Sequence, residues 1–356
     1  MPAVPEHDVA LAGYTTLGVG GPAATFIAAR DTDTLVNLVA STDTAREPLF
    51  VLGGGSNVVV SDAGFPGTVV HVDSQGVAFH AVDEHTVRLR AEAGVEWEPL
   101  VARCVSEGLS GVECLSGIPG RVGSTPIQNV GAYGQEVSQT ITEVLVYDRE
   151  DGRRRTLSNA ECGFSYRDSA FKGTDRYIVC HVVFELTRSE LSRPVGYAEL
   201  ARTLGVEIGD RVPLADARAA VLQLRGGKGM VVDPADPDSR SAGSFFTNPI
   251  LDAEEFTELR KRIAETLGPD VEPPAYPAGD GRVKTSAAWL IDRAGFGKGY
   301  GSGPARISSK HTLALTNTGT ATAADLLALA REVRAGVAEA FGVTLVNEPV
   351  LVGTSL

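Results

Sequence analysis

The chain has 356 residues, 43% of them apolar and 22% charged, which is the composition of a globular protein able to bury a large core. Its formal net charge of −13 argues against a nucleic-acid partner, because a phosphate backbone is bound through a basic face. A small phosphorylated ligand is not excluded, since it needs only a few local donors. The sequence has no run of about eighteen apolar residues and its N-terminus does not resemble a secretory leader, so we expect no membrane insertion and a cytoplasmic location.

In the first part of the chain, the pattern predicts a strand at 24–29 and a helix that begins near 33. A buried strand at 49–52 then leads into the loop GGGSN at 53–57, and a second strand follows at 58–60. Loops of this kind after a strand are where α/β proteins place phosphates. Because the loop leads into a strand rather than a helix, it is not a Rossmann turn.

A second glycine-rich loop, SGIPGRVGSTPIQNVGAYG, spans 116–134 and follows a predicted helix at 97–107. Glycine lets a ligand approach bare backbone N–H groups, and a series of such groups binds anions without lysine or arginine. The alternative is an ordinary surface loop, since the stretch is not a G-x-G-x-x-G fingerprint. Two such loops in one chain favour a dinucleotide or phosphate site.

The remaining pattern is α+β with two lobes. The proline- and aspartate-rich stretch near 232–242 is typical of a linker, and the last predicted helix begins with a capping box of Thr322 and Asp325. Further strands are predicted at 86–91, 144–147 and 176–187, and helices at 97–107, 214–224, 253–267, 286–293 and 322–341.

Two polar clusters suggest chemistry. In SYRDS, 165–169, a Tyr-Arg pair could hold a carboxylate; the alternative is an arginine paired with Asp168 on a surface turn. In GSFFTNP, 243–249, a desolvated Ser244 could deliver a proton, although a buried Phe-Phe core segment would have the same sequence. A hydrolase triad is not indicated, since G-x-S-x-G is absent and no histidine is near.

Other candidates lie in the C-terminal half. Lys228, Tyr276 and Lys284 would suit an anionic ligand such as a pyrophosphate, or would simply form solvated surface. Glu348 stands in an apolar strand and is a candidate acid; an edge-strand glutamate facing water is the alternative. The cysteines show no C-x-x-C pair and no histidine at metal-ligand spacing, so reduced thiols and no metal site are expected at Cys104, Cys114, Cys162 and Cys180.

Taken in order, these motifs resemble one family, the UDP-N-acetylenolpyruvoylglucosamine reductases, in the longer subtype with a tyrosine loop over the substrate. The resemblance spans nearly the whole chain. Two departures limit it: the DPADPDSRS stretch is longer than expected, and GFGKG stands where the family has GFKG. The matching motifs are TTLGVGGPA, VLGGGSN, SGIPGRVGSTPIQNVGAYG, SYRDS, GSFFTNP, KTSAAWLID and NEPV.

The resemblance implies an α+β fold of the vanillyl-alcohol-oxidase type that binds FAD. It implies an FAD-binding domain at 1–227 (subdomains about 1–75 and 76–227), a substrate-binding domain at 228–341, and a C-terminal strand at 342–356 returning to the active site. Since no histidine lies in the two loops, non-covalent FAD is expected. The FAD pyrophosphate would be held by Gly53, Gly54, Gly55, Ser56 and Asn57, and the rest of the flavin by Ser116, Gly117, Ile118, Gly123, Gln128, Asn129, Gly131 and Tyr133.

The implied reaction is NADPH-dependent reduction of UDP-N-acetylenolpyruvoylglucosamine to UDP-N-acetylmuramate in peptidoglycan precursor synthesis. Flavin N5 would deliver hydride to C3 of the vinyl group. Arg167 and Glu348 would stabilise the enolate-like charge, and Ser244 would protonate C2. Substrate contacts carried over from the family are Tyr166, Tyr197, Lys228, Asn248, Tyr276 and Lys284.

Two other functions remain open from the sequence. One is a flavin oxidase of the same fold, whose signature would be a histidine that links the flavin. The other is a non-catalytic nucleotide-binding module, which would not need Ser244, Arg167 and Glu348 together. Small molecules are the expected partners, and a monomer is expected.

Overall fold

The structure, a computed structural model, describes residues 4–356. Within them the chain forms two units. Unit 1 contains the described residues up to Val9 together with Ala23–Gly55 and Phe65–Gly227, and unit 2 contains Ala10–Pro22, Ser56–Gly64 and Lys228–Leu356. Two short N-terminal segments therefore belong with the C-terminal half of the chain.

In chain order the strands are β1 Glu6–Ala10, β2 Pro22–Ala29, β3 Leu49–Leu52, β4 Val58–Val60, β5 Phe65–Val72, β6 Val77–Ala81, β7 Thr86–Glu92, β8 Leu109–Ser110, β9 Gly131–Ala132, β10 Gln135–Glu136, β11 Ile141–Asp148, β12 Arg153–Ser158, β13 Tyr177–Arg188, β14 Ile250–Leu251, β15 Tyr276–Pro277, β16 Val283–Lys284, β17 Ala305–Ile307, β18 Leu315–Asn317 and β19 Val350–Val352. The longest strand of unit 1, β13, has 12 residues, whereas the strands β4 and β14–β19 of unit 2 have two or three residues each.

The helices agree closely with the sequence pattern, and every predicted helix is present. Their bounds are α1 Thr32–Ala45, α2 Trp97–Ser106, α3 Ala198–Leu204, α4 Leu214–Gly226, α5 Ala253–Leu267, α6 Ala287–Arg293 and α7 Ala323–Phe341. None of them combines the length and the hydropathy that crossing a membrane requires, within the part of the chain that the structure describes.

Unit 1 contains two large sheets and the short antiparallel pair of β9 and β10. The smaller has the order β1-β2-β5-β3, with β2 and β3 both parallel to β5, and α1 buries Leu35 and Val39 in the same core. The larger has the order β12-β11-β13-β7-β6 and its neighbours are antiparallel. The ring of Trp97, at the start of α2, lies 5.8 Å from that of Phe184 in β13. These contacts bury the apolar face of α2 on the large sheet.

In unit 2, α5 and α7 bury their apolar stripes in one core with Phe245 and Phe246. The predicted capping box at Thr322 is confirmed, and Asp62 adds two further bonds to the same helix end, accepting from the amides of Ala323 (2.8 Å) and Ala324 (2.9 Å). Strand β4 pairs in parallel with β19 near the C-terminus. Helix amides without intrahelical partners are thus satisfied by a residue from the segment 56–64.

Candidate active site

The two predicted glycine loops lie against each other within unit 1. A Cβ atom on Gly53 would lie 2.5 Å from Ser124 Oγ, and one on Gly54 would lie 2.7 Å from the Cα of Gly120. The Gly54 contact is with backbone, so a methyl group there would push the two loops apart, whereas the Gly53 contact is with a serine hydroxyl that can turn away. The close approach places the first loop, after β3, beside the second loop, after α2, as a dinucleotide site requires.

The second loop is held by its own backbone and by buried hydroxyl groups. Ser116 is fully buried, and its hydroxyl donates to the Glu113 carbonyl at 2.7 Å. Gly123 packs closely on Ala93, where a Cβ would lie 2.5 Å from the alanine Cβ. Ile118 and Gln128 are half-buried along the same loop. Because the Ser116 proton is already donated inside the protein, that hydroxyl can offer a ligand only an acceptor.

Asn129 is buried and all its side-chain groups are used by the protein. Its Nδ2 donates to the Glu136 carboxylate at 2.8 Å and to the Ser165 carbonyl at 3.0 Å, while Oδ1 accepts from the amide of Ser138 at 3.1 Å. Its φ of 45° is a left-handed conformation that asparagine tolerates better than most residues. The side chain therefore joins the loop to the SYRDS segment. The Asn129 backbone is also used within the protein, since its amide donates to the Pro126 carbonyl at 3.3 Å and its carbonyl accepts from Arg167 Nη1 at 3.5 Å.

Arg167 of the SYRDS segment reaches the same loop. Its Nη2 donates to the Gly131 carbonyl at 2.7 Å, and its guanidinium carbon lies 5.2 Å from the centre of the Tyr166 ring. The Arg167 carbonyl accepts from Lys172 Nζ at 2.6 Å. The arginine is thus half-buried against the loop rather than confined to an exposed turn.

Tyr133 ends the loop beside a buried arginine. Its ring meets the edge of Tyr197 at 5.6 Å between centroids, just before α3 begins. Burial, the largest cause, raises the pKa of Tyr133 to about 12, and burial likewise lowers the pKa of Arg225 to about 10. Arg225 lies in the last turn of α4, and we did not predict it from the sequence. A signal was present, since it stands three residues before Lys228, which we did predict.

In unit 2, the segment that contains Asn57 lies beside the segment that contains Glu348. Asn57 Nδ2 donates to the Glu348 carbonyl at 3.3 Å, and the Val350 amide donates to the Asn57 carbonyl at 3.0 Å. Ser56 and Asn57 thus lie in unit 2, whereas Gly53, Gly54 and Gly55 lie in unit 1.

Ser244 lies next to the same segment. The amide of Glu348 donates to the Phe245 carbonyl at 2.9 Å, and Phe246 forms an antiparallel bridge with Asn347. Ser244 and Glu348 are both half-buried, while the following Phe245 is buried. The Phe-Phe pair is therefore core, as the alternative held, and it also anchors the serine beside Glu348. Glu348 itself lies just before β19 (Val350–Val352) rather than within the apolar strand that the sequence predicts.

Two of the predicted substrate residues of unit 2 lie in strands and two lie in loops. Asn248 accepts from the amide of Ala287 at 3.0 Å, which ties it to the start of α6. Tyr276 and Lys284 are opposite each other in the antiparallel pair of β15 and β16. Lys228 is half-buried at the beginning of the C-terminal segment.

No group of histidine, cysteine and carboxylate side chains among residues 4–356 is arranged to hold a metal ion. The four cysteines are free and buried, and burial raises the pKa of each thiol to about 12, so none has the character of a reactive thiolate.

Comparison with known proteins agrees with this geometry. A family model described as an FAD binding domain matches residues 23–158, and one described as the C-terminal domain of UDP-N-acetylenolpyruvoylglucosamine reductase matches 234–352. A crystal structure of UDP-N-acetylenolpyruvylglucosamine reductase from Thermus caldophilus superposes with a TM-score of 0.66 at 27% identity, covering 98% of this chain and 99% of that one. The predicted α+β FAD-binding fold with a family-specific C-terminal domain is confirmed.

Curated relatives are much closer in sequence. UDP-N-acetylenolpyruvoylglucosamine reductase of Thermobifida fusca is 69% identical over 98% of both chains. The protein of the same name from Streptomyces coelicolor is 61% identical over 98% of this chain and 91% of its own length. The chain therefore belongs to the UDP-N-acetylenolpyruvoylglucosamine reductase family.

Proposed function

We propose that this protein, an FAD-dependent oxidoreductase, reduces UDP-N-acetylenolpyruvoylglucosamine to UDP-N-acetylmuramate for peptidoglycan synthesis, with NADPH as the reductant. The observation that carries the proposal is the 69% identity to the reductase of that name over 98% of both chains. Such identity over the full length supports a shared activity.

The two glycine loops fit the cofactor. At Gly54 the loops approach so closely that a methyl group would clash with the Gly120 backbone. Glycines at these positions leave backbone N–H groups as the donors for a pyrophosphate. Gly53, Gly54, Gly55, Ser56 and Asn57 would hold that group, and the loop from Ser116 to Tyr133 would hold the flavin ring. When bound there, FAD supplies the hydride that is taken from NADPH and passed to C3 of the vinyl group.

Arg167 would stabilise the charge that develops on the substrate. After hydride arrives at C3, negative charge spreads toward the substrate carboxylate, and a guanidinium pairs with a carboxylate through two hydrogen bonds. The contact between Arg167 and the Gly131 carbonyl at 2.7 Å keeps that guanidinium beside the flavin loop. Glu348 would act on the same charge in protonated form or by sharing a proton, because an ionised carboxylate would repel the developing negative charge.

Ser244 would deliver the proton to C2. A serine hydroxyl is a poor acid, so it can act only on a strongly basic intermediate or through a relay. This requirement favours hydride transfer before proton transfer. The bond between Glu348 and the Phe245 carbonyl, 2.9 Å long, supports a shared site for the two residues.

The test separates the two half-reactions. Purified protein with bound FAD is mixed with NADPH, and flavin bleaching is followed; the enolpyruvyl sugar is then added to the reduced protein without oxygen. We expect Ser244→Ala to keep the first step and to lose the second, with Thr247→Ala as a control that removes a hydroxyl from the same segment. Equal loss in both steps would refute the proton-donor role of Ser244. Rapid oxidation of NADPH in the presence of oxygen but without the enolpyruvyl sugar would favour an oxidase.

A further inference from the structure

Glu98 uses both carboxylate oxygens to join three segments of unit 1. It lies in the first turn of α2, where its Oε2 accepts from the amide of Gly117 and its Oε1 accepts from Nη2 of Arg218. The side chain of Glu98 is 31% exposed and that of Arg218 is 19% exposed. The carboxylate therefore connects α2, the second glycine loop and α4.

The orientation of the peptide at Gly117 depends on its bond to Glu98. Gly117 has φ of 73°, a left-handed conformation that suits glycine, and it has no side chain with which to fix itself. Its neighbour Ser116 is tied to the Glu113 carbonyl, so the bond from Glu98 holds the next peptide unit. A hydrogen bond to an ionised acceptor is about twice as strong as one between neutral groups. Glu98 thus sets the direction of the peptide at the entrance of SGIPG.

Arg218 makes such a carboxylate tolerable beside an anionic cofactor. A lone glutamate beside a loop that holds part of FAD would repel the negative charge of that cofactor. Arg218 offsets that charge, and its Nη1 is buried without a hydrogen-bond partner among the residues described. Arg225 follows on the same face of α4 two turns later and is also buried. Helix α4 therefore presents positive charge toward the loop.

We propose that Glu98 is a positioning residue for FAD, acting through the Gly117 amide, and that Arg218 holds Glu98 in place. The amide of Gly117 then serves the loop rather than the cofactor phosphates, which are left to other N–H groups. This inference rests on the assignment of the loop 116–134 to the flavin under the proposed function. If the role of Glu98 were merely structural, the Glu98–Arg218 ion pair would only connect α2 with α4.

The test measures FAD affinity. Apo protein is prepared and titrated with FAD, and the quenching of flavin fluorescence gives the dissociation constant for Glu98→Ala, Glu98→Gln and Arg218→Met. Loss of a charge-assisted hydrogen bond should raise that constant about tenfold in Glu98→Ala. Glu98→Gln keeps an acceptor for Gly117 and should show a smaller increase. The matched control is Glu107→Gln, which breaks the Arg103–Glu107 ion pair (2.7 Å) at the C-terminal end of the same helix and should leave the constant unchanged.

The outcomes separate this inference from the loop assignment. A lower melting temperature with unchanged FAD affinity in Glu98→Ala and Glu98→Gln would mean a structural ion pair and would overturn the proposal. Gly54→Ala provides the reference, since its methyl group would enter the contact between the two loops. If Gly54→Ala weakens FAD binding but the Glu98 variants do not, only the present inference fails. If Gly54→Ala binds FAD normally, the assignment of the loops fails.

Discussion

Among single residues, three non-glycine residues of the proposed site have left-handed backbones. Asn129, Tyr133 and Arg167 have φ of 45°, 50° and 53°. Such conformations cost of order 1 kcal/mol or more, and they persist where surrounding contacts impose them. For Asn129 those contacts are three side-chain hydrogen bonds, and for Arg167 they include its bonds to Gly131 and Lys172. The strain is concentrated where the loop and the proposed catalytic arginine meet.

Arg167→Lys should keep the positive charge but lose the planar guanidinium group that can donate two hydrogen bonds to the substrate carboxylate. We expect the rate at which the enolpyruvyl sugar reoxidises the flavin to fall about 100-fold, the usual effect of removing one donor from a charge-stabilising site. Reduction of the flavin by NADPH should change little. Stopped-flow absorbance of the flavin measures both rates. The control is Arg103→Lys, at an arginine whose side chain is 51% exposed; an Arg167→Lys variant as fast as this control would exclude the assigned role.

His181 should make stability depend on pH. Burial, followed by the nearby Arg90, lowers its pKa from 6.5 to about 4 in the folded state. Between these values the unfolded chain binds a proton that the folded chain does not, so stability is lost as pH falls from about 6.5 to about 4. The difference in melting temperature between pH 7 and pH 5 should be smaller in His181→Asn than in wild type. The control is His80→Asn, at an exposed histidine. If the melting temperatures of the His181→Asn and His80→Asn variants depend equally on pH, this explanation is wrong.

Among the elements, the short parallel pair of β4 and β19 links the end of the first glycine loop to the Glu348 segment. Asn57 contributes both its side-chain amide and its carbonyl to this link. Each strand has only three residues, so the pairing depends on few hydrogen bonds. A single backbone donor at its start should therefore matter.

Val350→Pro tests that donor. Proline removes the amide that donates to the Asn57 carbonyl at 3.0 Å, and the loss should destabilise the protein by about 1–3 kcal/mol. Turnover of the enolpyruvyl sugar should fall more than flavin reduction, because the Glu348 backbone loses support. Val350→Ala is the matched control, since the side chain is 55% exposed and the alanine keeps the amide. Chemical denaturation and the two half-reaction rates are the measurements, and similar behaviour of the two variants would contradict the prediction.

In the whole molecule, neither unit is formed by one continuous stretch of the chain. The segments Ala10–Pro22 and Ser56–Gly64 belong to unit 2, although about half of the chain separates them from its main part. They supply β4, the Asp62 cap of α7, and the Leu17 carbonyl that accepts from Asn317 Nδ2 at 2.9 Å. Unit 2 is consequently not a contiguous piece of sequence.

A fragment consisting of residues 228–356 should therefore not fold by itself. It would lack the partner of β19, two bonds at the start of α7, and the buried side chains of Leu17, Val19 and Val59. We expect a weak near-ultraviolet circular dichroism signal, a non-cooperative thermal transition and rapid proteolysis, measured beside the full-length protein. Cooperative unfolding of the fragment would show that the two N-terminal segments are dispensable.

Much of the local structure was determined by sequence alone. Helix α5 lies at Ala253–Leu267, the range that its apolar spacing predicts, and the strand–loop–strand unit around GGGSN is present as expected. Periodicity and glycine act over a few residues, so they can be read without the fold. The family motifs likewise indicate the FAD-binding fold from the amino-acid sequence, because each motif is a short contiguous stretch.

Only the tertiary structure decided which residues meet. The contact of Gly54 with Gly120, the bond of Arg167 to Gly131, and the role of Glu98 between Gly117 and Arg218 join residues far apart in the chain. From the sequence alone, Glu98 is only an acidic residue in the first turn of a predicted helix, and Asp62 is only a loop residue. Their functions arise from partners brought by packing, and neither periodicity nor motif spacing carries information on contacts between distant segments.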